Sequence, residues 1–100
     1  MIEIDTFRLA AGADPSDEAV QAFLAADKAA QERFAYLQPG FVRRTTAFSG
    51  DGRWAVITQW ESRDAADLAK AAAYDSEVMV AFDTHVDPAT RKLDRFQPIG

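Results

Sequence analysis

Hydrophobic and polar side chains alternate with a period of two along residues 2–9 of this 100-residue chain. The period is typical of β-strands, because successive side chains of a strand point to opposite faces of a sheet. It predicts a first strand over residues 2–9. Further strands are predicted over residues 41–48, over residues 54–60, which are rich in β-branched and aromatic side chains, and over residues 93–99. Residues 49–52 (Ser-Gly-Asp-Gly) predict a hairpin between the second and third strands, since Asp-Gly tolerates positive φ angles.

Between the first two strands, apolar residues recur instead at three- and four-residue steps, which is typical of a helix with one buried stripe. This helix is predicted to begin at residues 14–17, with Asp14 as its cap and Pro15 at its first position. It is predicted to continue to about Leu37, where residues 38–40 (Gln-Pro-Gly) end it.

A second helical region follows the third strand. Ser62 is predicted to cap a helix through the alanine-rich residues 65–73. Ser76 is predicted to cap a shorter helix that runs to about Thr84, and residues 86–89 then form a loop before the last strand.

The resulting order, β-α-β-β-α-β, predicts an α+β fold, the ferredoxin-like sandwich, as a single domain over residues 1–100. Right-handed crossovers would place both main helices on one face of a four-stranded antiparallel sheet, with the short helix as an addition.

The other face of this sheet is also apolar. Ile2 and Ile4 point away from Phe7 on the first strand, and Ala55 and Ile57 share the outward face of the third. A sheet with one wet face would alternate cleanly between apolar and polar residues. The pattern predicts that a second copy covers this face in a two-fold symmetric homodimer, the alternative being ordinary scattered apolar residues at the surface.

Composition narrows the choice of partner. The formal net charge of -5 repels phosphate, so neither nucleic acid nor an anionic membrane surface is expected as a partner. No apolar run approaches the ~20 residues that span a bilayer, and the first residues do not resemble a signal peptide. Together with the absence of cysteine, this predicts a cytoplasmic protein.

Polar residues on apolar helix stripes are the first candidates for chemistry. Asp27 and Gln31 lie on the stripe of the first helix, where a buried carboxylate needs a partner or a raised pKa. Asp27 is therefore either a general base or the partner of an arginine. His85, the single histidine, is either an acid–base residue or the end of the short helix. One histidine without further ligands at a recognised spacing predicts no metal site.

Three other residue types could contact a substrate. Arg43 and Arg44 point to opposite faces of the second strand, so one of them faces inward or toward the dimer partner. It could bind an anion or form a salt bridge. Trp60 could stack on a planar substrate or serve as plain core, and Tyr74 could donate a hydrogen bond.

These segments carry a resemblance to a known family. The turn and strand start at residues 38–44, the strand end and helix start at residues 60–65, and the closing segment with Phe82 and residues 86–88 resemble the antibiotic biosynthesis monooxygenase-type domains. The likeness covers nearly the whole chain. It implies a dimeric α/β barrel in which two sheets close on each other with the helices outside. The superfamily includes cofactor-free oxygenases of polyketide aromatics, haem-degrading enzymes, small isomerases and domains without known activity.

The haem-degrading branch fits least. Where the resemblance would place its asparagine, tryptophan and histidine, this chain has Phe7, Ala69 and Asp83. His85 is two residues beyond the ligand position, and residues two apart do not share a helix face. Haem degradation is therefore disfavoured.

Two functions stay open at this point. The chain is a small homodimeric monooxygenase-like or isomerase-like enzyme that uses neither metal nor organic cofactor, or a non-catalytic dimeric module for ligand binding, structure or stress. The enzyme would deprotonate an aromatic or enolisable small molecule between helices and sheet and stabilise the anion. Its candidate residues are Asp27 or His85 as base, Arg44 and Tyr74 as anion donors, and Gln31, Trp60 and Phe82 as pocket wall.

Overall fold

One antiparallel sheet forms the base of the structure. The computed structural model describes residues 1–12, 14 and 16–100. Within them the sheet has four strands in the order β2-β3-β1-β4. The strands are β1 (Ile2–Arg8), β2 (Phe41–Phe48), β3 (Arg53–Trp60) and β4 (Lys92–Phe96). All three pairings are antiparallel, which confirms the predicted ferredoxin-like α+β sheet.

Three α-helices in the described part of the chain lie on the face of the sheet that carries Phe7 and Trp54. They are α1 (Glu18–Arg33), α2 (Arg63–Ala73) and α3 (Glu77–Asp83). Both predicted serine caps are confirmed. The Ser62 hydroxyl accepts a hydrogen bond from the backbone N–H of Ala65 at 3.1 Å, and the Ser76 hydroxyl accepts one from that of Met79 at 3.4 Å. Each cap satisfies a backbone donor that the first turn of a helix leaves without a partner.

The start of α1 differs from the prediction that Asp14 caps it. The helix begins at Glu18 with Asp17 in the cap position. Asp14 Oδ1 instead accepts hydrogen bonds from the backbone N–H and the hydroxyl of Ser16, both at 2.9 Å. Aspartate readily bonds the backbone two residues ahead, which holds a turn outside the helix. Pro15 lies outside the described residues.

The ends of two elements also differ. α1 ends at Arg33, and its predicted last turn is a separate 3₁₀ turn over Ala35–Leu37. β4 ends at Phe96 and not at Ile99, which is fully exposed. Phe96 pairs with Ile2, the first residue of β1, so the neighbouring strand offers no further partner.

An aromatic cluster fills the space under α1 and α3. The ring of Phe23 lies 5.8 Å from Phe7, 5.1 Å from Trp54 and 5.5 Å from Phe82, and these residues are buried. Tilted and edge-to-face pairs at such distances are favourable beyond the apolar area that they bury. A second buried cluster under α2 contains Met1, Trp60, Ala66 and Ala69. The helix layer is therefore filled by large rings under α1 and α3 and mainly by alanine side chains under α2.

On the other face of the sheet, the described part of the chain places no helix. Ile2 and Ile4 are half-buried, whereas Ile57 is 36% and Phe96 54% exposed. Their apolar side chains lie on neighbouring strands, since Ile4 pairs with Ile57 and Ile2 with Phe96.

Gly40 is expected to be intolerant of any side chain. Its φ angle is +79°, and a Cβ there would lie 2.5 Å from the Cβ of Ala65. Gly40→Ala is expected to lower the free energy of unfolding by more than the roughly 1–3 kcal/mol that a strained backbone alone costs. Gly50→Ala is the matched control, because its φ is +87° but no atom lies within 4 Å of the new Cβ. Urea denaturation of both variants measures the difference, and equal losses would contradict the contact with Ala65.

Candidate functional site

A cavity of about 530 Å³ lies between the helices and the sheet. Its apolar wall includes Phe34, Val56, Trp60, Met79 and Phe82. Ala69 and Ala73 of α2 form part of the roof, and their small side chains leave the space that larger residues would fill. The volume is in the range of small-molecule sites, which have a mainly apolar wall and a few polar groups.

Trp60 is fixed at one wall of the cavity. Its indole Nε1 donates a hydrogen bond to Glu3 Oε1 at 2.7 Å, and its ring meets Phe41 edge-to-face at 5.9 Å between centroids. Because the N–H is already bonded to a carboxylate, Trp60 offers a ligand its apolar ring surface.

Arg44, and not Arg43, reaches the cavity. Arg44 pairs with Thr58 across the strands and lines the cavity, whereas Arg43 is exposed opposite Gln59. The Arg44 side chain is only 5% exposed, and its guanidinium carbon lies 5.8 Å from the centre of the Phe82 ring.

Asp27 is the partner of this arginine. Its Oδ1 lies 2.8 Å from Arg44 Nη2 and accepts a hydrogen bond from the Thr46 hydroxyl at 3.0 Å. The carboxylate is 13% exposed and is not part of the cavity wall. A buried ion pair needs such additional bonds to offset the loss of hydration. The arrangement corresponds to the salt-bridge alternative for Asp27, in which it holds Arg44 in place.

His85 and Gln31 also lie outside the cavity wall. The His85 ring packs against Phe23 with 6.4 Å between centroids, and its backbone N–H donates to the carbonyl of Phe82 at 3.1 Å. Gln31 Nε2 donates to the Tyr36 hydroxyl at 2.7 Å. Of the seven candidates, the structure brings four together at the cavity, namely Arg44, Tyr74, Trp60 and Phe82.

Two carboxylates of β1 are not among the seven site residues predicted from the sequence. Glu3 and Asp5 line the cavity, and each is held by an arginine near the end of the chain. Glu3 Oε2 lies 2.9 Å from Arg95 Nε, and Asp5 Oδ2 lies 2.8 Å from Arg91 Nη2. The sequence did indicate where they point, because residues two apart on a strand share a face. Glu3 and Asp5 therefore lie on the same face of β1 as the buried Phe7.

Both arginines also reach a helix. Arg95 Nη1 lies 2.6 Å from Asp67 on α2, and Arg91 Nη1 lies 2.9 Å from Asp83 at the end of α3. Burial disfavours the charged form of Arg91, but hydrogen bonds to Asp5 and Asp83 outweigh it and raise the pKa of this guanidinium. The hydrogen bond to Asp67, with a further one to Glu3, raises the pKa of Arg95.

Solved structures of oxygenases share this architecture. SnoaB, a cofactor-independent oxygenase from Streptomyces nogalater, is 20% identical, and the match covers 99% of this chain and 92% of SnoaB with a TM-score of 0.76. An antibiotic biosynthesis monooxygenase is 16% identical over 100% of both chains, with a TM-score of 0.73. The ActVA-Orf6 monooxygenase of Streptomyces coelicolor, solved with nanaomycin D, is 20% identical over 99% of this chain and 87% of its own, with a TM-score of 0.68.

The fold is that of the antibiotic biosynthesis monooxygenases. These comparisons confirm the resemblance seen in the sequence at the level of fold. No protein-family model matches the chain, and no curated protein sequence matches it.

Two features are absent from residues 1–12, 14 and 16–100 of the chain. No group of three or more His, Cys, Asp or Glu side chains is arranged to hold a metal ion. None of the helices there is long and apolar enough to cross a membrane.

The Arg44–Asp27 pair is expected to dominate the stability of the cavity wall. Arg44→Met is expected to lower the free energy of unfolding by about 3–5 kcal/mol, because it leaves the Asp27 carboxylate buried without its counter-ion. The double variant Arg44→Met/Asp27→Leu is expected to lose less than Arg44→Met alone, since no buried charge remains. Urea denaturation of both variants tests this, and a double variant less stable than the single one would contradict it.

Proposed function

We propose that this chain is a cofactor-independent monooxygenase-like enzyme that acts on an aromatic or enolisable small molecule. The observation that carries the proposal is the cavity of about 530 Å³, where Trp60 supplies a flat apolar wall and Arg44 a nearly buried cation. A site of this kind holds fixed charge where an anion develops, which is the main means of stabilising such a species. The fold shared with SnoaB, a cofactor-independent oxygenase, supports the same reaction class.

In the proposed reaction the substrate loses a proton and its anion donates one electron to dioxygen. The substrate radical and superoxide then combine and take up a proton to form a hydroperoxide. Loss of water from the hydroperoxide leaves the oxygenated product, so the substrate itself supplies all the electrons and the second oxygen atom leaves as water. Arg44 and Tyr74 stabilise the anion, and Asp27 positions Arg44 through the 2.8 Å ion pair. Neither Asp27 nor His85 lines the cavity, so the proton passes to one of the carboxylates that do, Glu3 or Asp5. An isomerase-like reaction would begin with the same deprotonation but would consume no oxygen.

The activity is tested with hydroquinone-type aromatic polyketides incubated with the protein under air. We expect oxygen uptake and an oxygenated product by mass spectrometry for at least one compound. Tyr74→Phe is expected to slow turnover by up to about 10²-fold, because it removes one donor to the developing anion. Tyr36→Phe is the matched control, since Tyr36 is also exposed but does not line the cavity.

Three results are informative. Oxygen uptake that both tyrosine variants retain would contradict the role of Tyr74. A thermal shift with a compound but without oxygen uptake or product would favour a non-catalytic ligand-binding module. Neither binding nor turnover across the compounds would contradict the proposed function.

The proposed enzyme works as a homodimer whose two sheets face each other. The uncovered face carries Ile2, Ile4, Ile57 and Phe96 on three adjacent strands, and contiguous apolar patches of this kind mark contact surfaces. In a dimer with a two-fold axis, this patch on each chain would contact the same patch on the other chain.

Ile57→Lys is expected to shift the dimer to monomer, because it places a charge on the apolar face directly beside Ile4. Val80→Lys is the matched control, since Val80 is 51% exposed on α3, on the opposite side of the sheet. Sedimentation velocity at micromolar concentration measures both variants and the parent chain. A monomeric parent chain, or equal effects of the two lysines, would contradict the proposed dimer.

A further inference from the structure

The exposed residues of the cavity wall mark its mouth. Lys70 and Tyr74 lie at the end of α2, Asp83 at the end of α3, and Arg91 and Leu93 on the β4 side, and all five are exposed. Apart from Pro88, which is also exposed, the remaining wall is buried or half-buried. A ligand therefore enters between the ends of two helices and the β4 edge, where charged groups of both signs meet.

The geometry points to Arg91 as an anion-recognition residue at this mouth, which selects cavity ligands that combine an aromatic body with an acidic group. The inference names the ligand class of the site in the proposed function, and it concerns binding alone. It would hold for a ligand-binding module as well as for an enzyme.

Arg91 is held in place from inside the cavity. Asp5 accepts hydrogen bonds from Arg91 Nε at 3.2 Å and from Nη2 at 2.8 Å, and the Asp5 side chain is only 15% exposed. A guanidinium bound along its Nε–Nη2 edge is fixed in both position and plane. The cost of ordering this side chain is therefore already met before any ligand arrives.

The contact on the other edge is weaker. Asp83 accepts one hydrogen bond from Arg91 Nη1 at 2.9 Å, and its side chain is 51% exposed. Exposed ion pairs of this kind contribute only about 0–1 kcal/mol. Asp83 is therefore a replaceable partner, and an acidic group of a ligand can take its place while Asp83 turns into solvent.

Lys70 adds to the preference for an acidic group. Its ammonium group is the second exposed cation on the cavity wall. A carboxylate, sulfonate or phenolate at the mouth would lie near both cations, while the aromatic body contacts Trp60 and Phe82 inside. A neutral compound with the same body would gain only the apolar contacts.

A matched pair of fluorescent dyes tests the inference on the full chain. 8-Anilinonaphthalene-1-sulfonate and N-phenyl-1-naphthylamine share one aromatic body and differ in the sulfonate group. Asp83→Asn removes the competing charge and is expected to tighten binding of the sulfonate dye about two- to fivefold, the fold-change that corresponds to an exposed ion pair. Arg91→Gln is expected to weaken it by about tenfold or more, as for the loss of a hydrogen bond to a charged group. The dissociation constant of the neutral dye is expected to change by less than about twofold in both variants.

Two controls make the result specific. Asp51→Asn makes the same charge change in an exposed Asp–Arg pair at the hairpin and is expected to leave both dyes unaffected. Ala73→Phe fills the cavity beneath α2 and is expected to abolish binding of both dyes. Binding that survives Ala73→Phe would place the dyes elsewhere and overturn the inference.

The remaining outcomes separate the role of Arg91 from the proposed function. Equal effects of Asp83→Asn on the two dyes, or no effect on the sulfonate dye, would overturn the role of Arg91 even if Arg91→Gln fails to fold, because Asp83 is exposed and its replacement leaves the Arg91–Asp5 pair intact. Selective effects on the sulfonate dye without any oxygenase activity would support Arg91 while the proposed function fails. Oxygen uptake without dye selectivity would support the proposed function and overturn the role of Arg91.

Discussion

The unequal filling of the space between helices and sheet determines what this fold can do. Phe23 lies among three aromatic rings at 5.1–5.8 Å and closes the space under α1 and α3. Under α2 the residues that face the cavity are Ala69 and Ala73, whose small side chains leave it unfilled. Close packing is the rule in protein interiors, and it holds α1 and α3 on the sheet. The cavity exists because one helix departs from that rule.

Charge pairing makes this departure compatible with a stable fold. The carboxylates of Glu3 and Asp5 lie on the cavity floor, and each is bonded to an arginine that also reaches a helix, Arg95 to α2 and Arg91 to α3. Single unpaired charges at these depths would be strongly destabilising. The two arginines therefore neutralise the cavity floor, while their outer contacts, to Asp67 and Asp83, are with exposed carboxylates and contribute little.

Local signals predicted most of the fold. The strands, the hairpin and the caps Ser62 and Ser76 depend on neighbours within a few residues, which the sequence shows directly. Asp14 was assigned wrongly because an aspartate before a helix can cap it or close a preceding turn, and both use the same residue type.

The candidate site was harder to predict from the sequence than the fold. Arg91 and Arg95 meet Asp5 and Glu3 only through the β1–β4 register, between segments more than 80 residues apart. Asp27 could be given two roles, and choosing between them needed its 2.8 Å distance to Arg44.

The central claim is that the space beneath α2 stays open and receives a small aromatic molecule. A crystal structure of the chain grown with N-phenyl-1-naphthylamine tests it most directly. We expect the ring system to lie against Trp60, below Ala69 and Ala73, with Arg44 still bonded to Asp27. A structure in which α2 has moved onto the sheet and Trp60 and Met79 fill the space, leaving the dye elsewhere or unbound, would contradict it.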